Sequence, residues 1–515
     1  MLRSLREHRR VFLAGTVAAL ALRLFFFVYF PALTDDSRTY ADIATNWLQH
    51  GVYGQTQGTE IVPTDTRLPG YPAFLAVIFF VFGAGNFRAV MLAQILIDVA
   101  TCLIIADIAR RAASERAARI AFVLAAVCPF LANYSTAELT ETLEIFFTAL
   151  ALDCAITALN RMREPSPESG PESRPGILDP TSIQLWTATG AAIAACILLR
   201  PDGGVLLTAV ALYLAYLGAA ALSYPARATA AGNHTNFRRI LVAGTIVAAC
   251  ALAPLVPWTL RNFHTLHHFQ PLAPRYANES DETTPRGFNR WVSTWIIDYV
   301  SVEEIYWNVP GARIDPQKLP SRALDKTNEG NADEDNANEK DATLALIADY
   351  NQDQDLTPEL DARFGQLAAS RIRAHPVRCY IVLPLLRVAD MWLRPRTELL
   401  PPDPRWWEFN DDVKPSITAV GFGVLNLAYL VAALLAMVHT MRVRATFRIT
   451  SELSSEIRPA LRWSGLLLAF VLLRSALLLT LENPEPRYTL ECYPVIIVCA
   501  AAYLAYVTER QQPSA

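Results

Sequence analysis

Val11-Phe-Leu-Ala-Gly-Thr-Val-Ala-Ala-Leu-Ala-Leu-Arg-Leu-Phe-Phe-Phe-Val-Tyr-Phe30 is the stretch whose reading decides the fold. Its one charge is Arg23. Twenty residues at about 1.5 Å of helical rise cover roughly 30 Å, the thickness of a bilayer's hydrocarbon core. The residues before it carry Arg3, Arg6, Arg9 and Arg10. A cleaved signal peptide has a shorter apolar core and a small-residue cleavage site. The stretch therefore reads as an uncleaved first crossing with its basic end in the cytoplasm.

Working outward, the 515 residues are 52% hydrophobic and only 18% charged, and the apolar residues fall into long blocks. Further blocks run approximately over Ala89–Ala109, Ala117–Ala132, Leu139–Leu159, Ile183–Leu199, Val205–Ser223, Ile240–Trp258, Ile417–His439, Ser464–Leu481 and Leu490–Val507. The expected class is an all-α polytopic membrane protein with about ten crossings. Tyr71–Phe82 is apolar but too short to cross alone. Charge decides its role. If it crossed, the dense basic loop of Arg110, Arg111, Arg116 and Arg119 would be exported, against the positive-inside rule. It is expected to be an interfacial or re-entrant helix, and the same parity puts Arg227, Arg238, Arg239, Arg442, Arg444 and Arg448 inside.

Three regions follow: a transmembrane module over 1–258 with an outer loop at 31–70, an outer loop region over 259–415, and C-terminal transmembrane helices over 416–515. The acidic run 325–341 inside the second region is too polar to bury and is expected to be disordered; it lacks the spacing and turn glycine of a calcium loop. Val377–Trp392 carries Arg378, Arg387 and Asp390 among apolar residues, which suits a helix lying on the outer membrane surface. The net charge of −4 gives no basic stripe for nucleic acid. The eight cysteines show neither a disulfide framework nor zinc spacing; a Cys379–Cys492 bridge is the one pairing considered. His264, His267 and His268 lack an acidic neighbour in sequence, so no metal or other cofactor is indicated.

With sides assigned, ionisable residues and prolines gather at the outer face. Asp35 and Asp36 follow the first crossing, and Arg67-Leu-Pro-Gly-Tyr71 closes that loop. Glu138 and Glu141, three residues apart, share one helical face. Arg200-Pro-Asp202, Pro257-Trp-Thr-Leu-Arg-Asn262 and Glu485-Pro-Arg-Tyr488 mark three further outer turns. Singly, each has a structural explanation as a cap or a snorkelling end; together they form a pattern. Within the blocks, Asp98 and Arg474 are a candidate internal pair, while Asp107 and Asp153, near cytoplasmic ends, need no partner. Carboxylates and arginines at a membrane face suit sugar transfer from a polyprenyl phosphate. The departing phosphate needs cations, for which the arginine fork is matched, and the acceptor hydroxyl needs a carboxylate base.

These residues resemble those of the GT-C membrane glycosyltransferases, especially the bacterial branch similar to protein O-mannosyltransferases and the lipid A aminoarabinose transferase. The resemblance rests on Asp36-Ser-Arg-Thr-Tyr40-Ala-Asp-Ile-Ala, Asn46-Trp-Leu-Gln-His-Gly51-Val-Tyr-Gly and Arg67-Leu-Pro-Gly-Tyr-Pro72. It continues in Thr140-Glu-Thr142, Leu199-Arg-Pro-Asp202, Pro257-Trp-Thr-Leu-Arg-Asn262 and Glu485-Pro-Arg-Tyr488, spanning nearly the whole chain. It implies a GT-C-type bundle with juxtamembrane helices and Asp36 as the catalytic carboxylate, with Asp35 second. Arg67 would lie near the donor phosphate, and Glu138 and Glu141 would bind acceptor or sugar. Arg200, Arg261 and Arg487 are further binding candidates, and Tyr71 and Tyr488 would line the cavity. The implied partners are a polyprenyl-phosphate sugar donor, a lipid, glycan or protein acceptor, and the bacterial inner membrane, with the site facing the exterior. The acidic insert departs from the family pattern. A transporter, or a polymerase or ligase of lipid-linked glycans, are the rival readings.

Overall fold

In the computed structural model, residues 1–162, 178–223, 230–276, 284–324, 334–409, 413–449 and 457–510 are described. The chain is almost wholly helical and divides into two units. The first comprises Met1–Ala277, Ala428–Leu473 and Leu490–Ala515; the second comprises Asn278–Leu427 and Arg474–Thr489. The three sequence regions are thus redistributed: much of the C-terminal helical segment packs into the first unit, and a shorter part joins the second.

Among the described residues, eight helices are long and apolar enough to cross a bilayer, and the chain is an integral membrane protein. In the first unit these include α1 (Arg9–Tyr29), α4 (Phe87–Ala112), α7 (Glu141–Arg161), α8 (Pro180–Leu199), α9 (Gly204–Ser223) and α19 (Tyr493–Arg510). Helices α10 (Ala230–Leu252) and α11 (Leu255–Leu266) together carry the seventh expected crossing, and Arg227 lies outside the described residues. Between α1 and α4 lie α2 (Asp35–His50), a β1 (Gly54–Gln57)–β2 (Glu60–Pro63) antiparallel hairpin and α3 (Gly70–Phe82). At 13 residues, α3 is only about 20 Å long, so it stays a short apolar helix, as the charge parity required.

The expected crossing at Ala117–Ala132 is broken. Helix α5 (Glu115–Ala126) stops, and α6 (Pro129–Tyr134) restarts after Val127 and Cys128. Pro129 is the cause: it has no N–H for the Ala125 carbonyl and holds Cys128 extended, and the Arg23 guanidinium of α1 then donates to the freed Ala126 carbonyl at 2.6 Å and the Ala125 carbonyl at 3.3 Å. These are end carbonyls a helix leaves unsatisfied, and a hydrocarbon interior offers them no water. Arg23 also pairs with Asp98 at 2.6 Å. The expected Asp98–Arg474 pair is therefore replaced, and Arg474 donates instead to the Tyr488 carbonyl at 3.0 Å in the second unit. Asp107 and Asp153 are not solitary either: Arg110 and Arg111 bind Asp107 at 2.8 and 2.6 Å, and Arg111 reaches Asp153 at 3.2 Å.

The second unit has an aromatic core built from α12 (Arg286–Val292), α13 (Tyr299–Glu304), α14 (Glu334–Asp353) and α15 (Pro358–Ala374). Phe288, Trp291, Trp295, Tyr350 and Phe364 fill it. A Cβ on Gly287 would fall 1.8 Å from the Asp361 carbonyl oxygen, so only glycine lets α12 and α15 meet. The Asp361 carboxylate then caps α12 by accepting from the Gly287 and Phe288 amides at 2.8 and 2.9 Å. Residues 325–333 of the acidic run lie outside the described residues. Residues 334–341 are not disordered but open α14, where Glu339 accepts from Arg371 at 2.8 Å. The unit continues through α16 (Leu383–Leu393) into α17 (Val413–Ile449), and includes the end of α18 (Ile457–Leu478). All eight cysteines are free, Cys379 and Cys492 included.

Candidate functional site

The site is assembled where α2 begins. Thr34 caps α2, its hydroxyl accepting from the Ser37 amide while Ser37 Oγ accepts from the Thr34 amide. Ser37 Oγ also donates to the Glu138 carbonyl at 2.8 Å. A parallel bridge pairs Ala32 with Ala137 through amide bonds of 3.1 and 3.3 Å. The start of α2 is thereby fastened to the 135–140 loop that leads into α7. Gln94 of α4 braces this loop from behind, donating to the Ala137 carbonyl at 2.6 Å and accepting from the Tyr71 hydroxyl at 2.7 Å.

Two acidic residues occupy the first turn of α2, where the helix dipole favours them. Asp35 is fully exposed and lies 3.6 Å from Arg38. Asp36 turns inward, and its Oδ1 accepts from Arg67 Nη2 at 2.8 Å while a third of its side chain stays open to solvent. Arg67 is held by its own backbone: its carbonyl accepts from the Tyr53 hydroxyl at 2.9 Å. Three residues on, a Cβ at Gly70 would sit 2.6 Å from the Leu198 carbonyl oxygen, so glycine allows the start of α3 to lie against the end of α8.

The end of α8 carries the second cation. Arg200 lies 3.3 Å from Asp202, 3.4 Å from Glu141 and 3.7 Å from Glu144. Glu144 faces Glu491. Tyr40 joins the two groups: the Arg67 guanidinium lies 5.6 Å from its ring centre, and its phenol feels Arg67, Asp36, Arg200 and Glu141. Burial pushes that phenol up to about 12. Glu138 is fully buried, neither carboxyl oxygen has a hydrogen-bond partner, and burial raises its carboxyl to about 8. The rim thus holds more carboxylates than its two arginines balance.

The structure therefore gathers Asp36, Arg67, Glu138, Glu141 and Arg200 from the sequence candidates. Tyr71 is fully buried, with its hydroxyl spent on Gln94 and its ring edge-on to Tyr40 at 5.0 Å. Arg261 binds the Thr64 and Tyr53 carbonyls and stacks between Tyr53 and Trp258, so it clamps the hairpin rather than presenting an open fork. Arg487 and Tyr488 belong to the second unit, where both hold Glu485 at 2.6 Å. Sequence reading missed Tyr40, Glu144 and Glu491. Glu144 continues the three-residue spacing of Glu138 and Glu141, a signal that was legible. His268, expected to lack an acidic neighbour, lies 2.8 Å from Asp65, and among the described residues no group of three metal-ligating side chains forms.

Against known proteins, the family model for dolichyl-phosphate-mannose-protein mannosyltransferase matches residues 65–166, which run from the Arg67 loop through α7. No curated protein matches by sequence. Among solved structures, the archaeal oligosaccharyltransferase AglB from Archaeoglobus fulgidus, in complex with an inhibitory peptide and a dolichol-phosphate, is similar at 12% identity and a TM-score of 0.50. That match covers 98% of this chain, which spans about half, 51%, of the archaeal chain. ArnT from Cupriavidus metallidurans in the apo state is matched at 14% identity and a TM-score of 0.37, over 92% of this chain and 77% of that one. Over nearly its whole length the chain shares its fold with that archaeal oligosaccharyltransferase.

Proposed function

We propose that the protein is a glycosyltransferase that moves a sugar from a polyprenyl-phosphate carrier to a hydroxyl-bearing acceptor. The observation that carries this reading is the partly open Asp36 carboxylate held 2.8 Å from Arg67 at the membrane rim. The family model that matches the same region, described as a dolichyl-phosphate-mannose-protein mannosyltransferase, supports it.

In the proposed reaction the acceptor oxygen forms a bond to the anomeric carbon as the carbon–oxygen bond to phosphate breaks. The hydroxyl proton passes to Asp36, and the phosphate leaves with the bonding electrons and its charge. Arg67 is the cation nearest the base, and a bidentate guanidinium suits the phosphate oxygens. When Arg67 turns to the donor phosphate, Asp36 loses its partner and becomes a stronger base. Arg200, already beside Glu141, orients the sugar or completes the phosphate's charge balance. Glu138 and Glu141 supply hydrogen bonds to sugar or acceptor hydroxyls. One displacement on one base inverts the anomeric centre. The chain would sit in a bacterial inner membrane with this rim outside, where lipid-linked sugars are consumed.

A transporter would need polar groups free near the bilayer middle. The Arg23–Asp98 pair is fully buried and bound to helix-end carbonyls, which favours the enzyme. The test is transfer from a panel of labelled polyprenyl-phosphate sugars to acceptors in membrane extract, with Asp36→Asn as control. Transfer that disappears in a variant still able to bind donor supports both the class and the base. Transfer that survives moves the role to another carboxylate. Uptake of a polar solute by the protein in vesicles, without transfer from any donor, would replace the reading.

A further inference from the structure

The segment Val377–Leu393, a π-helical turn at Arg378–Val382 running into α16, has its amphipathicity arranged inside out. Cys379, Leu383, Arg387 and Met391, four residues apart, are buried. Arg387 donates to the Ser293 and Ile296 carbonyls at 3.1 and 3.2 Å, and Asp390 accepts from the Tyr299 amide at 3.0 Å. The Arg387 and Asp390 charges thus face protein, while Arg378 at the start of the segment is half-buried. The opposite series is apolar and open: Val377, Ile381 and Leu385 are 62, 55 and 56% exposed, and Leu393 is 58% exposed.

The two ends of this segment attach to different surroundings within the second unit. It starts just after α15, whose Phe364 and Ala368 belong to the aromatic core. It ends against the membrane span α17 and the shorter apolar helix α18: Trp392 Nε1 donates to Ser475 Oγ at 3.2 Å, and Asn426 Nδ2 donates to the Trp392 and Arg394 carbonyls at 2.8 and 3.1 Å. Asn426 lies within the membrane span of α17, roughly 18 Å along the helix from Lys414. Ser475 lies on α18, three residues before its end at Leu478. The 17-residue segment is itself about 26 Å long.

We infer that Val377–Leu393 is not laid flat on the membrane surface but descends into the near leaflet, the half of the bilayer next to the 278–409 segment, and that acyl chains cover its exposed stripe. The connection that follows meets the condition such a segment imposes, that irregular backbone at membrane depth be covered by protein. Arg394, Arg396 and Thr397 are buried, and Arg396 donates to the Pro486 carbonyl at 2.8 Å and to the Thr489 hydroxyl. This inference stands apart from the proposed chemistry.

The test is spin labelling of the full chain in lipid nanodiscs at Val377→Cys, Leu385→Cys and Leu393→Cys, with the native cysteines replaced by serine. Collision with oxygen, which dissolves in lipid, is compared with collision with a water-soluble nickel chelate, and Lys318→Cys serves as the aqueous reference. The oxygen-to-nickel ratio is expected to rise several-fold from Val377 to Leu393. Equal ratios at the three positions would restore a helix lying flat. Nickel access like that at Lys318 would put the stripe in water, and protection from both reagents would mean that protein covers it; either overturns the inference. Ile381→Cys and Leu386→Cys repeat the measurement on neighbouring turns, so loss of one variant to misfolding leaves the gradient readable.

Discussion

Two arginines of the first unit, Arg23 inside a membrane span and Arg200 at the end of another, are wired in opposite ways. Arg23 is fully buried, and its donors are spent on Asp98 and on the Ala19, Ala125 and Ala126 carbonyls. Arg200 keeps a fifth of its side chain exposed and faces Glu141, Glu144 and Asp202 at 3.3–3.7 Å, longer than the 2.6 Å of the Arg23 pair. A charge placed for stability is saturated, because any donor left over in hydrocarbon is costly. At the proposed site the charge is outnumbered and partly open, so that under the proposed function an incoming ligand rearranges it. The Asp36–Arg67 pair shares the second character, and the rim as a whole departs from charge balance.

The comparison can be broken most directly at the rim. Asp36→Asn is expected to lower turnover by about 10²–10⁴-fold, the usual contribution of a positioned base. Its unfolding free energy should change by under about 1 kcal/mol, because the ion pair it removes is partly solvated. Radiolabel transfer and thermal unfolding on the same preparation read both. At Arg23 the balance reverses. Arg23→Met leaves Asp98 buried and unpaired, so about 3–5 kcal/mol of stability is expected to go. Adding Asp98→Leu should restore most of it; if the double variant stays as unstable as the single, the pair is not the reason for the loss.

Arg200→Gln should lower kcat/KM about 10- to 100-fold, the worth of one or two charge-assisted hydrogen bonds, with a small change in melting temperature. Glu138 sharpens the rim by pH. Its folded-state value of about 8 lies above the ordinary carboxylate value, so the folded protein holds a proton that the unfolded chain releases. Its contribution is fully present below the unfolded value near 4.5 and is lost as pH rises through about 8. Glu138→Gln should therefore gain in melting temperature on wild type as pH goes from 5 to 9; a pH-independent difference would refute the burial argument. The smallest effect belongs to Asp35→Asn, whose fully exposed carboxylate should leave transfer within about twofold and the melting temperature unchanged.

Much of this was legible from residue order. Block length against bilayer thickness, with arginine placement, located the eight spans found among the described residues and the short α3, since both are one-dimensional properties; of the ten expected crossings, Ala117–Ala132 is broken and Ser464–Leu481 is a shorter apolar helix. The break after α5 was legible in Pro129 and was missed; what could not be read is that the freed carbonyls are met by a guanidinium on α1, 102 residues before Ala125. Hydropathy also cannot see which side of a helix faces protein, so the charges of Arg387 and Asp390 pointed to a surface helix when they are turned inward.

By itself the sequence determined that the chain is a polytopic helical membrane protein and that carboxylates and arginines collect beside the helix ends, because charge is excluded from hydrocarbon wherever no partner is at hand. Only the tertiary structure decided that Asp36 rather than Asp35 meets Arg67, that Arg261 and Tyr71 serve the scaffold, that Glu144 and Glu491 join the rim, and that Arg23 rather than Arg474 neutralises Asp98. Pairing is set by which helix faces meet, and a distance of 2.6 Å between residues 75 positions apart exists only once the bundle is packed.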